Sequence, residues 1–315
     1  MSEREGSQRE RAQSMHPDDE SAYQALAAVH DDARWAFGTG FDDPLSGMEA
    51  AVPSGVDGAG LAAYCLMLGD DALVAAQRLT EWVTRAPELE DEVALANIGL
   101  DLLGQARLLL ARAARADPSV VPAGGPDVPE DALAYFRDQH DFRNARLCEL
   151  PDGDFACCTV RLLVFATWRL AVLARLTGSA DPVLAAIAAK GVKELTYHRD
   201  YAARWVVRLG DSTPVARARV EAALADVWPW VPELFRTSAV EARLPGVAVD
   251  PAAVREEVDA VLGEVLAAAT LPVPTTVPAA LVAGRAGRDG VHTEALGYLL
   301  AEMQSVARAH PGATW

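Results

Sequence analysis

Glu194 and His198 stand four residues apart in the stretch KELTYHRDYAARW (Lys193–Trp205). On a helix that spacing sets them about 40° apart around the axis, on one face. A carboxylate and an imidazole so placed are a metal-ligand pattern. Helical bundles hold two irons with a Glu from each of two helices and a Glu-x-x-His from each of the other two. Carboxylate oxygen and imidazole nitrogen suit iron, and bridging carboxylates hold two cations close together. A complete centre must therefore draw on four helices, and each can be searched for its share.

The periodicity supplies those helices. Leu61, Tyr64, Leu68, Ala72, Ala76, Leu79 and Val83 step by three or four and form one apolar stripe, closed by Pro87. A second helix opens on Glu88, Glu90, Asp91 and Glu92 and ends near Arg107, Arg112 and Arg115, acids first and cations last as the helix dipole favours. The loop Asp117–Pro129 and a short helix over Asp131–Arg143 follow. A third long helix covers Phe155–Leu176. Asp181-Pro182 reads as an N-cap with proline in the first turn of a fourth, which runs past His198 and stops at Gly210. Further helices are expected over Pro214–Phe235, Pro251–Ala269 and Thr293–Ala309, with LPVPTTVP (Leu271–Pro278) breaking the chain between the last two. No alternating strand and no repeat period is visible. The fold expected is all-α, a four-helix bundle with additional C-terminal helices over residues 61–315.

Searched helix by helix, the ligand set is short. The first helix offers only neutral Gln77 in its middle turns between Asp71 and Glu81. The second carries Asp101, but Gly104 and Gln105 follow it where a histidine would stand. The third has no Asp, Glu or His between Asp154 and Asp181. In the fourth, the residue three after Glu194 is Tyr197. Asp101, Glu194 and His198 are too few ligands, and carry too little negative charge, to hold two irons. The expectation is a degenerate remnant with no metal and no catalytic residue. Asp101 and Glu194 are then a buried polar pair bonded to neighbours such as Gln105, Arg161 or Arg169, because unpaired burial is costly. A self-contained metalloenzyme built on Asp101, Glu194 and His198 is the alternative.

Elsewhere, GRAGRDG (Gly284–Gly290) could cradle a phosphate, with Arg285 and Arg288 supplying charge to flexible backbone. Trp228-Pro229-Trp230 reads as core or interface packing. No nucleophile elbow is present.

Composition narrows the class. The net charge of −17 in 315 residues gains nothing from polyanions, which argues against nucleic acid and against anionic membranes. Salt adaptation is one reading of that acidity. Cys65, Cys148, Cys157 and Cys158 match no zinc spacing and suit a reducing cytosol. No signal peptide is evident, and the most apolar helix carries Arg169 at its middle, so a soluble cytoplasmic protein is expected. Residues 1–60 read as a partly disordered extension whose apolar patch is WAFGTGFDDPLSGM (Trp35–Met48).

Three stretches carry a resemblance. APELEDEVALANIGLDLLGQAR (Ala86–Arg107), KELTYH (Lys193–His198) and DGVHTEALGYLLAEMQ (Asp289–Gln304), followed by PGATW (Pro311–Trp315), closely resemble the ferritin-like C subunits of bacterial phenylacetyl-CoA 1,2-epoxidases. The similarity runs from about Leu61 to Trp315. It implies a non-catalytic structural subunit of a multicomponent monooxygenase in aerobic phenylacetate catabolism. In that family a homologous A subunit holds the di-iron site and binds the acyl-CoA. A small B subunit joins the assembly, and a flavin and iron–sulfur reductase supplies electrons from NADPH. Phenylacetyl-CoA then meets this chain only through the complex, with Arg285 and Arg288 as candidate contacts to a CoA phosphate.

Overall fold

The computed structural model describes residues 51–151 and 153–311. The Trp35–Met48 patch and the rest of residues 1–50 lie outside them. Four long helices dominate: α1 (Gly58–Thr80), α2 (Leu89–Ala116), α4 (Phe155–Leu176) and α5 (Pro182–Gly210). The helix starts follow local chemistry. Asp154 caps α4 by accepting from Cys157 N, and Asp181 caps α5 by accepting from Leu184 N, with Pro182 filling a first-turn position that needs no donor. Glu90, Asp91 and Glu92 occupy the first turn of α2 and Arg115 its last.

The helices pack as two hairpins, α1 with α2 and α4 with α5, joined where α2 lies on α5. Next in extent, α6 (Pro214–Val227) lies on α4 and α5, and α8 (Arg255–Ala268) lies on α4. Covered from both sides, α4 is buried around its whole circumference from Cys158 to Leu173. That is where its unbroken apolar sequence goes. By length and composition α1, α2 and α4 are each apolar enough to cross a membrane, but α1 and α4 bury 89% and 94% of that stretch inside the protein. Among the described residues no strand forms, only an isolated bridge between Val282 and Arg285.

Several boundaries differ from the sequence reading, each for a visible reason. The first helix begins at Gly58 and ends at Thr80, well before Pro87, in successive turns over 81–86. The helix expected over Asp131–Arg143 is only α3 (Pro129–Tyr135) and a single 3-10 turn (Gln139–Asp141). Asp70 on α1 accepts from Arg137 and from the backbone N–H of Arg143 (2.8 Å), so the chain is drawn out of helical register. The helix expected over Pro214–Phe235 changes at Val227 to a 3-10 run, Trp228–Phe235, where Pro229 and Pro232 remove the donors that an α-helix needs. The start at Pro251 is likewise a 3-10 turn ahead of α8. A four-residue α7 (Ala239–Ala242), capped by Ser238, has no counterpart in the sequence reading, whereas α9 (Glu294–Ala309) does.

Candidate functional site

The interior of the bundle is crossed by a polar relay that draws on all four long helices. Arg169, fully buried on α4, donates from Nη1 to the Leu68 carbonyl of α1 (3.0 Å) and from Nε to Gln105 Oε1 of α2 (2.9 Å). Gln105 Nε2 donates onward to Glu194 Oε2 of α5 (2.8 Å), and Lys190 meets the other Glu194 oxygen at 3.2 Å. Burial depresses the pKa of Arg169, and the nearby Asp71 carboxylate works against that. Gly191 makes room for the crossing: a Cβ there would lie 2.6 Å from Leu173 Cδ1 and 3.4 Å from the Gln105 amide.

Asp101 and Glu194 are not the buried pair expected from the sequence. Asp101 is 38% exposed and bonds His198 Nε2 at 3.0 Å, while His198 is fully buried. Arg161 reaches neither acid; it donates to the Leu150 carbonyl, and burial first, then the Arg78 charge, pushes its pKa down to about 10. Glu194 and His198 do share a face of α5, as their spacing requires, but each meets a different rung of α2. Those rungs continue in both directions. Arg112 pairs with Asp181 beyond Gln105, and Asp91 accepts from Tyr201 Oη (3.0 Å) and Trp205 Nε1 (2.9 Å) beyond Asp101. Asp91, Asp101, Gln105 and Arg112 thus climb α2 as their partners descend α5. The Glu–His spacing is two steps of a polar ladder that fixes the register of two antiparallel helices.

This donor set does not fit a di-iron centre. One Glu194 oxygen already accepts from Gln105 and the other is ion-paired with Lys190, Gln105 is neutral, and α4 presents a guanidinium where a bridging carboxylate would be needed. Among the described residues no three His, Cys, Asp or Glu side chains are grouped so as to hold a metal ion.

The two arginines of Gly284–Gly290 part company. Arg285 is exposed and donates to the Asp289 carbonyl (3.0 Å). Arg288 turns inward, bidentate on Asp71 of α1 (2.9 and 2.7 Å), and also donates to the carbonyls of Met67 and Arg143. Burial alone would lower its pKa, but the charge and hydrogen bonds of Asp71 more than reverse this and raise it. Its guanidinium is thereby committed inside the protein. The glycines serve close packing rather than a cradle: a Cβ on Gly287 would fall 2.0 Å from the Asn144 carbonyl oxygen. Trp230 is half-buried under the Arg146 guanidinium, 5.1 Å from its ring centre.

A second buried polar cluster is one that the sequence reading misses. Asp70 and Asp71, both fully buried on α1, anchor Arg137, Arg288 and the N–H groups of Arg143 and Ala145. Beside them Glu149 accepts from Thr293 N (2.7 Å), Thr293 Oγ1 (2.6 Å) and Asn144 Nδ2 (3.0 Å), and meets His292 Nδ1 at 2.5 Å. His292 Nε2 faces the Phe142 carbonyl at 2.9 Å, so both of its ring nitrogens face oxygen acceptors. Glu233 holds Arg146 and the Gly287 N–H in the same manner. The signal that could reveal the cluster is the pair of acids inside the apolar run LMLGDDALV, which burial obliges to find cations.

Residues 50–315 match the family model described as phenylacetic acid catabolic protein. Over 257 residues the chain is 43% identical to the C subunit of the 1,2-phenylacetyl-CoA epoxidase of Escherichia coli (strain K12), covering 81% of this chain and 99% of that protein. The match takes in both the ladder and the acid clusters, and the chain belongs to the family of phenylacetic acid catabolic proteins.

Proposed function

We propose that this chain is a non-catalytic structural subunit of a multicomponent di-iron monooxygenase that epoxidises the ring of phenylacetyl-CoA in aerobic phenylacetate catabolism. Its partners are then a homologous, iron-bearing A-type subunit, a small B-type subunit and a reductase that draws electrons from NADPH through flavin and iron–sulfur groups. The observation that carries this reading is Arg169. A fixed cation at the meeting point of four helices leaves Glu194 as the one carboxylate of the relay, already shared between Gln105 and Lys190. The support from similarity is that the Escherichia coli relative is named as the C subunit of its epoxidase. Four unpaired thiols are in keeping with a cytoplasmic setting.

In this role the chain's own residues build a rigid body and leave oxygen chemistry to the partner. The α2–α5 ladder sets the register of the bundle, and the acid clusters tie the C-terminal segment to α1. The rival reading, a self-contained metalloenzyme on Asp101, Glu194 and His198, has to break the His198–Asp101 and Gln105–Glu194 bonds to free any ligand.

Iron content tests the proposal. Purified alone from iron-replete cells, the chain is expected to carry close to zero iron and to epoxidise nothing, while forming one complex with the A-type subunit in size-exclusion chromatography. About two irons per chain, the content of an intact centre of this kind, would show that the chain is itself the oxygenase. Two separate peaks on mixing would remove the structural role.

A further inference from the structure

We propose that the outward face of α2, extended by Tyr197 of α5, is the surface on which the homologous subunit docks, through an antiparallel apolar helix. The inference rests on the heteromeric reading above and adds to it the place and polarity of the contact.

α2 carries two apolar stripes. The inner one, including Leu95, Ile98, Leu102 and Leu109, is buried against α1 and α5. The outer one is Leu89, Val93, Leu100 and Leu103, which are 69%, 53%, 43% and 42% exposed. Steps of four, seven and three residues keep these on one side of the helix, and small Gly104 continues the line. Tyr197, 50% exposed, stands on α5 between the two rungs Glu194 and His198 that face α2. Isolated exposed apolar residues need no explanation, whereas a contiguous row does. A helix apolar on all sides is ordinarily covered on all sides. The two other helices of this apolarity are 89% and 94% buried over their most apolar stretch, and α2 is 50% buried.

Charge decides among the possible occupants. The stripe is polarised, with Glu88, Glu90 and Glu92 around its first turn and Lys193 together with Arg107, itself 3.4 Å from Glu130, at the far end. An antiparallel helix with the usual distribution, acids at its N-terminus and cations at its C-terminus, sets opposite charges against both ends at once. A second copy offers that local match, but each copy carries −17, and the repulsion opposes assembly. An anionic bilayer meets the same excess of negative charge. A homologous bundle without this excess satisfies both conditions.

The test measures affinity between the full-length chain and the A-type subunit of the same organism by titration calorimetry. Leu100→Glu with Leu103→Glu is expected to weaken binding at least about 100-fold, because two charges enter a desolvated centre. Helicity and thermal midpoint of that variant should stay at wild-type values, since both side chains stand at the surface. Val306→Glu, at an exposed apolar position on α9, should bind as wild type does. Wild-type affinity in the α2 double variant overturns the assigned face while leaving the pairing intact. No binding by the wild-type chain overturns the heteromeric reading, and this inference with it. Self-association in sedimentation that the double variant abolishes assigns the face to a second copy and refutes the proposal. So does flotation of the wild-type chain, but not the variant, with phosphatidylglycerol vesicles.

Discussion

Asp71→Asn removes one charge and one hydrogen-bond acceptor with almost no change in volume, at a site where every neighbour is named. Asp71 is fully buried and takes both Nη1 and Nη2 of Arg288, at 2.9 and 2.7 Å, together with Ala145 N at 2.8 Å. An asparagine amide in that place turns one arm of the bidentate pair into two donors facing each other. It also leaves a guanidinium that burial disfavours without the charge that raises its pKa. Breaking one side of a buried ion pair costs about 3–5 kcal/mol, set against a total stability of roughly 5–15 kcal/mol. For a body of this size that is a fall in Tm of roughly 6–20 °C. The assay is thermal unfolding of Asp71→Asn, Arg288→Met and the double variant, closed as a cycle. The double variant should lose clearly less than the sum of the singles, with a coupling of at least about 2 kcal/mol. A drop in Tm below about 3 °C for Asp71→Asn, or strict additivity, would refute the claim that this pair ties residues 284–290 to α1. The same bonds mean that removing Arg288 destabilises the fold whatever its relation to CoA, and only Arg285 presents an exposed guanidinium from that loop.

Three further outcomes follow from the same packing. Burial raises the pKa of the thiols of Cys65, Cys148 and Cys158, so the native state holds protons that the unfolded chain releases above pH of about 8.5. The unfolded state then binds fewer protons than the native state, and stability falls as pH rises, by about 1.4 kcal/mol per pH unit for each thiol. Urea midpoints measured at pH 8, 9 and 10 should decline steeply, and a flat series would contradict the burial. Gly287→Ala places a Cβ where the Asn144 carbonyl already stands, so backbone must move, and a loss of at least about 2 kcal/mol in denaturant unfolding is expected. Gly263→Ala, with open space around its Cβ on α8, should be neutral or slightly stabilising.

The elements are legible where periodicity and punctuation agree. Asp181-Pro182 and Gly210 bracket α5 in the sequence as in the structure, and Phe155–Leu176 matches α4 to the residue. Reading fails where a distant side chain overrides local preference. Nothing local to Phe136–Arg143 says that Asp70, far earlier in the chain, takes its donors and ends the helix. The candidate site divides along the same line. That α4 lacks acids can be counted, but that Arg169 reaches α1 and α2 from its middle depends on the crossing that Gly191 permits. Spacing places Glu194 and His198 on one face, as the structure does. It does not give their partners, because spacing within one helix carries no information about register against another.

Charge accounting in the bundle interior shows what holds the four long helices together. Two divalent cations in a low-dielectric interior need several carboxylates, and a bundle holding only carboxylates there would be unstable without them. Here the relay holds one carboxylate, Glu194, against two cations, Arg169 and Lys190. The relay therefore carries its positive charge covalently. A planar guanidinium can satisfy acceptors on two helices at once, which a metal would otherwise do through its ligands. On the proposed non-catalytic reading, the guanidinium that ties the helices together also stands where an iron centre would need an acid. If the proposed non-catalytic role holds, the stability of the bundle and its lack of an iron-binding acid set are one property, set by Arg169.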